Sequence, residues 1–144
     1  IAAARDRLAD LGVLDDAGRQ QFLQAEGLAF ELLGRFDEAR TAIEARLALS
    51  TRIFGPQHYM VGQDLAQLAR LALKQHDPEL ALRHGEAALA ILREHFGEGE
   101  SWVAGVRNTI ALARLRTGDL DGARSDATLA YEARRATSGE ANPR

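Results

Sequence analysis

The stretch Leu68-Ala69-Arg70-Leu71-Ala72-Leu73-Lys74-Gln75-His76-Asp77-Pro78-Glu79-Leu80-Ala81 ends one helix and begins another. Leu65, Leu68, Leu71 and Ala72 recur at three- and four-residue spacing, the period of an apolar helical face. Asp77-Pro78 reads as an N-cap followed by proline at the first helical position, where its missing N–H costs nothing. Alanines at 69 and 81 place small side chains on both helices, twelve residues apart across the turn.

Shifting the sequence by 42 residues brings the same pattern back without an insertion. Gly27, Ala69 and Ala111 form one small column, and Ala39, Ala81 and Ala123 a second. Gly34, His76 and Gly118 mark the helix ends, where Gly34 and Gly118 suit a left-handed residue. Asp37, Glu79 and Asp121 are acidic; Leu47, Leu89 and Tyr131 are large. Val61 matches Val103, Leu68 matches Ile110, and Leu73 matches Leu115. Gly55, Gly97 and Gly139 close each unit, with Phe54 and Phe96 preceding two of them.

Each unit reads as two helices. The first is predicted over 17–33, 60–75 and 102–117, the second over 36–53, 78–95 and 120–136, with Ser101 as the cap of the helix that starts at Trp102. No stretch alternates apolar and polar residues with β-branched enrichment, so no strand is expected. The 144 residues divide into 1–13, the second helix of a truncated repeat; repeats at 14–55, 56–97 and 98–139; and 140–144, the start of a further truncated repeat. A chain that begins at Ile1 inside such an array is expected to be a piece of a longer protein. One helix pair cannot bury its own apolar face, whereas stacked pairs can. The two small columns are expected to face each other within each pair, and Gln20 is expected to be exposed.

Composition excludes several classes. Hydrophobic residues make up 46%, too many for a disordered chain. With no cysteine there is no disulfide framework, thiolate metal site or cysteine nucleophile. No run of apolar residues is long enough for a membrane span, and no leader with a charged start and a small-residue cleavage site is visible. The net charge of −3, without a basic stripe, argues against nucleic acid.

Catalytic chemistry finds no footing. His58, His76, His84 and His95 lack the spacing of a metal-binding pair and read as structural or solvated, so no metal and no cofactor are expected. Ser50, Ser101, Ser125 and Ser138 have no base and orienting acid around them. Gly97-Glu98-Gly99-Glu100 lacks the lysine and preceding strand of a phosphate loop. No catalytic residue and no enzyme activity are therefore expected. Arg107, Arg114, Arg116 and Arg124 form a basic patch that reads as a solvated face with neighbouring acids or, alternatively, as a receiver for an acidic peptide. Trp102, opposite Met60 in the repeat register, reads as a staple for the linker, with a partner anchor as the alternative.

The pattern of Gly27, Gly34 and Ala39, of Ala69, His76 and Ala81, and of Ala111, Gly118 and Ala123 resembles the tetratricopeptide repeat. The usual repeat is about 34 residues. The longer unit is similar to the kinesin-light-chain type, whose linker reads loosely Gly-x-x-His-Pro; Gly55-Pro56-Gln57-His58 and Gly139 to Pro143 each keep part of it. Departures are Glu26 in a column otherwise Leu68 and Ile110, His76 in place of the turn glycine, and Arg107 and Arg114 in columns often apolar.

The resemblance implies an all-α tetratricopeptide-repeat superhelix, a right-handed solenoid of antiparallel helix pairs whose first helices line a concave groove. By that resemblance the peptide-binding groove holds Gln21, Gln24 and Leu28; Gln63, Gln67, Arg70 and Lys74; and Asn108, Leu112 and Arg116. Amides both donate and accept, which suits the backbone of an extended peptide, and Arg70 and Arg116 suit a carboxylate. The Lys–Asn pair with which chaperone-binding members hold a C-terminal carboxylate is not reproduced by Gln24 with Leu28, Ala66 with Arg70, or Asn108 with Leu112. The expected function is a non-catalytic, cytoplasmic scaffold that binds a protein or peptide, without nucleic acid or membrane insertion. The alternatives are a regulatory or sensor segment of a bacterial signalling protein (kinase, STAND-type ATPase or transcription regulator) and a self-association module acting through open array ends.

Overall fold

A computed structural model of the chain describes residues 15–140, together with Ala3, Arg7 and Gly12. The expected helix over most of 1–13 and the turn at 141–144 lie outside the described residues. Six helices follow in order: α1 (Asp16–Leu32), α2 (Phe36–Phe54), α3 (Tyr59–Lys74), α4 (Pro78–Phe96), α5 (Ser101–Thr117) and α6 (Leu120–Glu140). No strand occurs among the described residues. This is the expected all-α architecture of antiparallel helix pairs. Two compact units divide at Pro56 and Gln57: α1 and α2 belong to the first, α3 to α6 to the second.

The turns inside the pairs share one construction. Gly34, His76 and Gly118 adopt φ of 72°, 61° and 91°. After each, the next N–H reaches back to the helix: Arg35 to Phe30 O at 2.8 Å, Asp77 to Ala72 O at 2.9 Å, Asp119 to Arg114 O at 2.9 Å. These bonds satisfy carbonyls that the helix end leaves open. The same residues then open the following helix. Asp77 Oδ1 accepts from Leu80 N at 3.0 Å, and Asp119 Oδ1 from Gly122 N at 2.9 Å. Arg35 has no capping side chain and instead pairs with Glu38, 2.6 Å from its Nε. His76 therefore performs a glycine's backbone role at a steric cost that its Cβ imposes.

Between pairs, Gly55 and Gly97 stop α2 and α4 with φ of 88° and 78° and extended ψ, a region open essentially to glycine alone. Gly139 does not repeat this, since α6 runs through it. Ser101 is not the cap of α5. Glu100 occupies that position without a side-chain bond, and Ser101 is the first helical residue.

In the first unit a Cβ on Gly27 would meet Ile43 Cγ1 at 3.1 Å and Ala39 O at 3.8 Å, so the small columns of α1 and α2 face each other. In the second unit the register extends further. Ala69 lies opposite Gly85, and Ala81 packs with Ala72, Leu73 and Ala113. Gly85 is also where Ile110 of α5 approaches, 2.8 Å from a would-be Cβ. The main core of this unit is Ala88, Leu92, Val103, Val106 and Ile110, which joins α4 to α5. Gln20 is half-buried rather than exposed, and its amide donates to the fully buried Ser50 at 3.1 Å.

Candidate functional site: the face of α3 and α5

Within the second unit α3 and α5 lie side by side, each backed by its own partner helix and by α4 between them. Gln63, Gln67, Arg70 and Lys74 follow one another at helical spacing along α3, half to fully exposed. Asn108, Leu112 and Arg116 do the same on α5. In the first unit Gln21, Gln24 and Leu28 form an exposed stripe on α1.

A cavity of about 200 Å³ opens between the two helices. Ala66 and Arg70 line it from α3. Ser101, Trp102, Gly105, Val106 and Thr109 line it from α5. Arg70 is the one residue of the expected groove that reaches this cavity. Trp102 is 42% exposed beside it. The linker before α3 is held by His95, whose Nε2 donates to Gln57 O at 2.8 Å while Tyr59 and Phe96 meet edge-on at 5.7 Å. His58 caps α3 by accepting from Met60 N at 3.3 Å. These two histidines are structural, as expected.

Other assigned groove residues are engaged inside the fold. Arg116 Nη1 donates to Leu73 O at 2.7 Å and so caps the end of α3 from α5. Asn108 turns its amide oxygen to the Arg134 guanidinium at 3.0 and 3.3 Å, the orientation its neighbours require.

Two arginines of the basic patch are matched by acids within the fold. Arg107 is buried and bonds Glu98 at 2.8 to 3.0 Å and Asp126 at 3.3 Å. Arg114 bonds Asp126 at 2.7 Å and Glu86 at 3.2 Å. Both arginines occupy columns that are apolar in other repeats because their charges are matched by acids from α4, α6 and the linker.

What remains exposed on α3 and α5 has one sign of charge. Neither helix carries an exposed carboxylate. Asp64 is their single acid, and it is fully buried, while Arg70, Lys74 and Arg116 are exposed. The helices behind them, α4 and α6, carry both signs. Gly105, Thr109 and Ser101 were not anticipated as part of the site. The one signal in the sequence was the column Gln21, Gln63, Gly105, where an amide gives way to no side chain.

The family model described as Tetratricopeptide repeat matches residues 23–94, half of the chain. The chain belongs to the tetratricopeptide-repeat family. Among solved structures it is similar to BtubC (BKLC) from P. vanneervenii, with a TM-score of 0.62 and 18% identity, over 99% of this chain and 74% of that one. At that identity the likeness carries the fold alone. Among the curated proteins none matches. Tetratricopeptide repeats are non-catalytic scaffolds that generally mediate protein–protein interaction. No described helix is long and apolar enough to cross a membrane.

Proposed function

We propose that this chain is a protein-interaction module of the 42-residue, kinesin-light-chain type, and that the α3–α5 face of its second unit receives an acidic, extended segment of a partner protein. The spacing of Gly34, His76 and Gly118 supports the repeat type, since the left-handed turn recurs at that interval. One observation carries the binding reading: an apolar-floored cavity lies on a face whose exposed charges, Arg70, Lys74 and Arg116, are all positive in a chain of net charge −3. Such segregation steers an acidic segment to this face and away from the mixed surfaces of α4 and α6. Gln63 and Gln67 supply amides that bond a peptide backbone whatever its sequence. Gln21, Gln24 and Leu28 extend the proposal to α1 as a separate stripe.

The test is a titration with a blocked Asp-Glu-Phe-Glu-Asp peptide and its Asn-Gln-Phe-Gln-Asn counterpart at low and high salt. The acidic peptide is expected to bind, to weaken as salt rises, and to weaken further with Arg70→Glu and Lys74→Glu. Equal binding of both peptides, or indifference to charge reversal, overturns the reading.

A further inference from the structure

The arginines of α4, α5 and α6 are not equivalent. Arg93 and Arg107 meet Glu98, Arg107 and Arg114 meet Asp126, and Arg116 donates to Leu73 O. Arg134 and Arg135 on α6 are exposed, and neither has a carboxylate partner among the described residues. Arg134 holds the neutral amide of Asn108. These two side chains stand three and two residues ahead of a hydroxyl, in Arg134-Arg135-Ala136-Thr137. Thr137 is exposed in the last turn of α6. Its Oγ1 donates to Ala133 O at 2.9 Å and to Gly99 O at 3.1 Å, which ties α6 to the linker between α4 and α5. Glu98 and Glu100 flank the carbonyl that it reaches.

We propose that Thr137 is a phosphorylation site for a protein kinase with an acidic substrate groove, and that the phosphate releases α6 from the α4–α5 linker. Two guanidiniums without acids of their own, just ahead of the hydroxyl, are the charge partners that such a groove requires. In the transfer, Thr137 Oγ1 attacks the γ-phosphorus of ATP held by the kinase. The bond to the β-phosphate oxygen breaks, ADP leaves, and the hydroxyl proton passes to a carboxylate base of the kinase. Entry into a kinase requires the last turn of α6 to unwind. That turn opens at low cost, because terminal carbonyls lack intrahelical partners and Gly139 weakens the helix there. The product cannot rebuild the tie. The proton that Gly99 O accepted is gone, and a charge of about −1.5 to −2 now stands beside two glutamates at the negative end of a helix dipole. Arg134, three residues back on the same helix, offers the phosphate a partner away from the linker, at the expense of Asn108.

The experiment incubates the full chain with magnesium ATP and a recombinant kinase of Arg-Arg-x-Ser/Thr specificity, and mass spectrometry locates the phosphate. Incorporation at Thr137 is expected. Arg135→Ala, which removes a side chain with no described partner, is expected to slow it by about tenfold or more. Amide exchange then reads the linker. The Gly97 N–H bonds Arg93 O and the Ala104 N–H bonds Glu100 O, on either side of Gly99. Both are expected to exchange about tenfold faster in the phosphorylated chain, while the central amides of α3 stay within about twofold. Thr137→Val, which loses the hydroxyl without gaining charge, falls between, and thermal melts confirm that each variant is folded. A phosphorylation rate below about a hundredth of that of the isolated Arg-Arg-Ala-Thr-Ser peptide overturns the site. So does phosphate found at Ser138 alone, or a rate unchanged in Arg135→Ala. Unaltered exchange at Gly97 and Ala104 after complete phosphorylation overturns the release.

Discussion

Arg107 and Asp126 form an ion pair between α5 and α6 with both side chains 8% exposed, Nη1 lying 3.3 Å from Oδ1. Asp126 also accepts from Arg114 at 2.7 Å, and Glu98 of the linker forks onto the other side of Arg107. The carboxylate is thus shared by two guanidiniums in a setting that water barely reaches. Asp126→Ala is expected to destabilise the fold by about 3–5 kcal/mol, because it strands buried positive charge. Replacing Arg107 and Asp126 together by leucine is expected to cost much less than the sum of the single changes. Urea unfolding of the three variants checks this, and additive losses count against the pairing.

Two glycine-to-alanine changes within twenty residues of one another are expected to have opposite signs. Gly85→Ala drives a methyl into Ile110, whose side chain is 1% exposed and has little room to yield. The expected net loss is about 0.5–2 kcal/mol after the gain in helix propensity. Gly105→Ala meets open space and is expected to stabilise by about 0.5–1 kcal/mol. Urea midpoints measured side by side decide the signs.

His76→Gly is expected to stabilise by about 1 kcal/mol, since a Cβ at φ 61° is relieved of its clash with the neighbouring carbonyl. Gly118→Ala, at φ 91° in the equivalent turn, is expected to lose a similar amount, about 1 kcal/mol. Shifts of a few degrees in the thermal midpoint, up for the first and down for the second, are the readout.

Ala81→Leu is expected to cost about 1–3 kcal/mol, because position 81 is fully buried among Ala72, Leu73 and Ala113. Gln20→Ala, in contrast, is expected to cost about 0.5–1.5 kcal/mol through the loss of its bond to buried Ser50. A Gln20 variant as stable as the wild type would restore the view of that side chain as solvated.

The helix pairs were legible in the sequence because small residues, left-handed turns and N-caps are local signals that recur at a fixed interval. Three of the six helix starts coincide with expectation, and the other three fall one residue earlier. What sequence periodicity did not reveal are contacts that cross the period. Arg107 and Arg114 look out of place on a helix wheel, and the acids that match them come from Glu98, Asp126 and Glu86, on three other segments. Arg116 reads from its spacing as a groove residue, and its bond to Leu73 O on the neighbouring helix is not visible there. Ser101 was misplaced by one position, since an N-cap is a matter of ψ at a single residue, and Glu100 adopts it. In the site, amide and cationic positions on α3 were readable from spacing, whereas the cavity needed two helices in place.

The tight turns at Gly34, His76 and Gly118 also have a mechanical meaning. A turn in which one residue closes a helix and the next opens the following one has no slack, so it fixes the spacing of the two helices. In the second unit the joint after Gly97 is braced by the Glu98 carboxylate on Arg107 and by the Thr137 hydroxyl on Gly99 O at 3.1 Å. Part of that brace is an ion pair reaching solvent through half-exposed Glu98. Rising ionic strength is therefore expected to weaken this brace while the apolar contact of α4 with α5 persists.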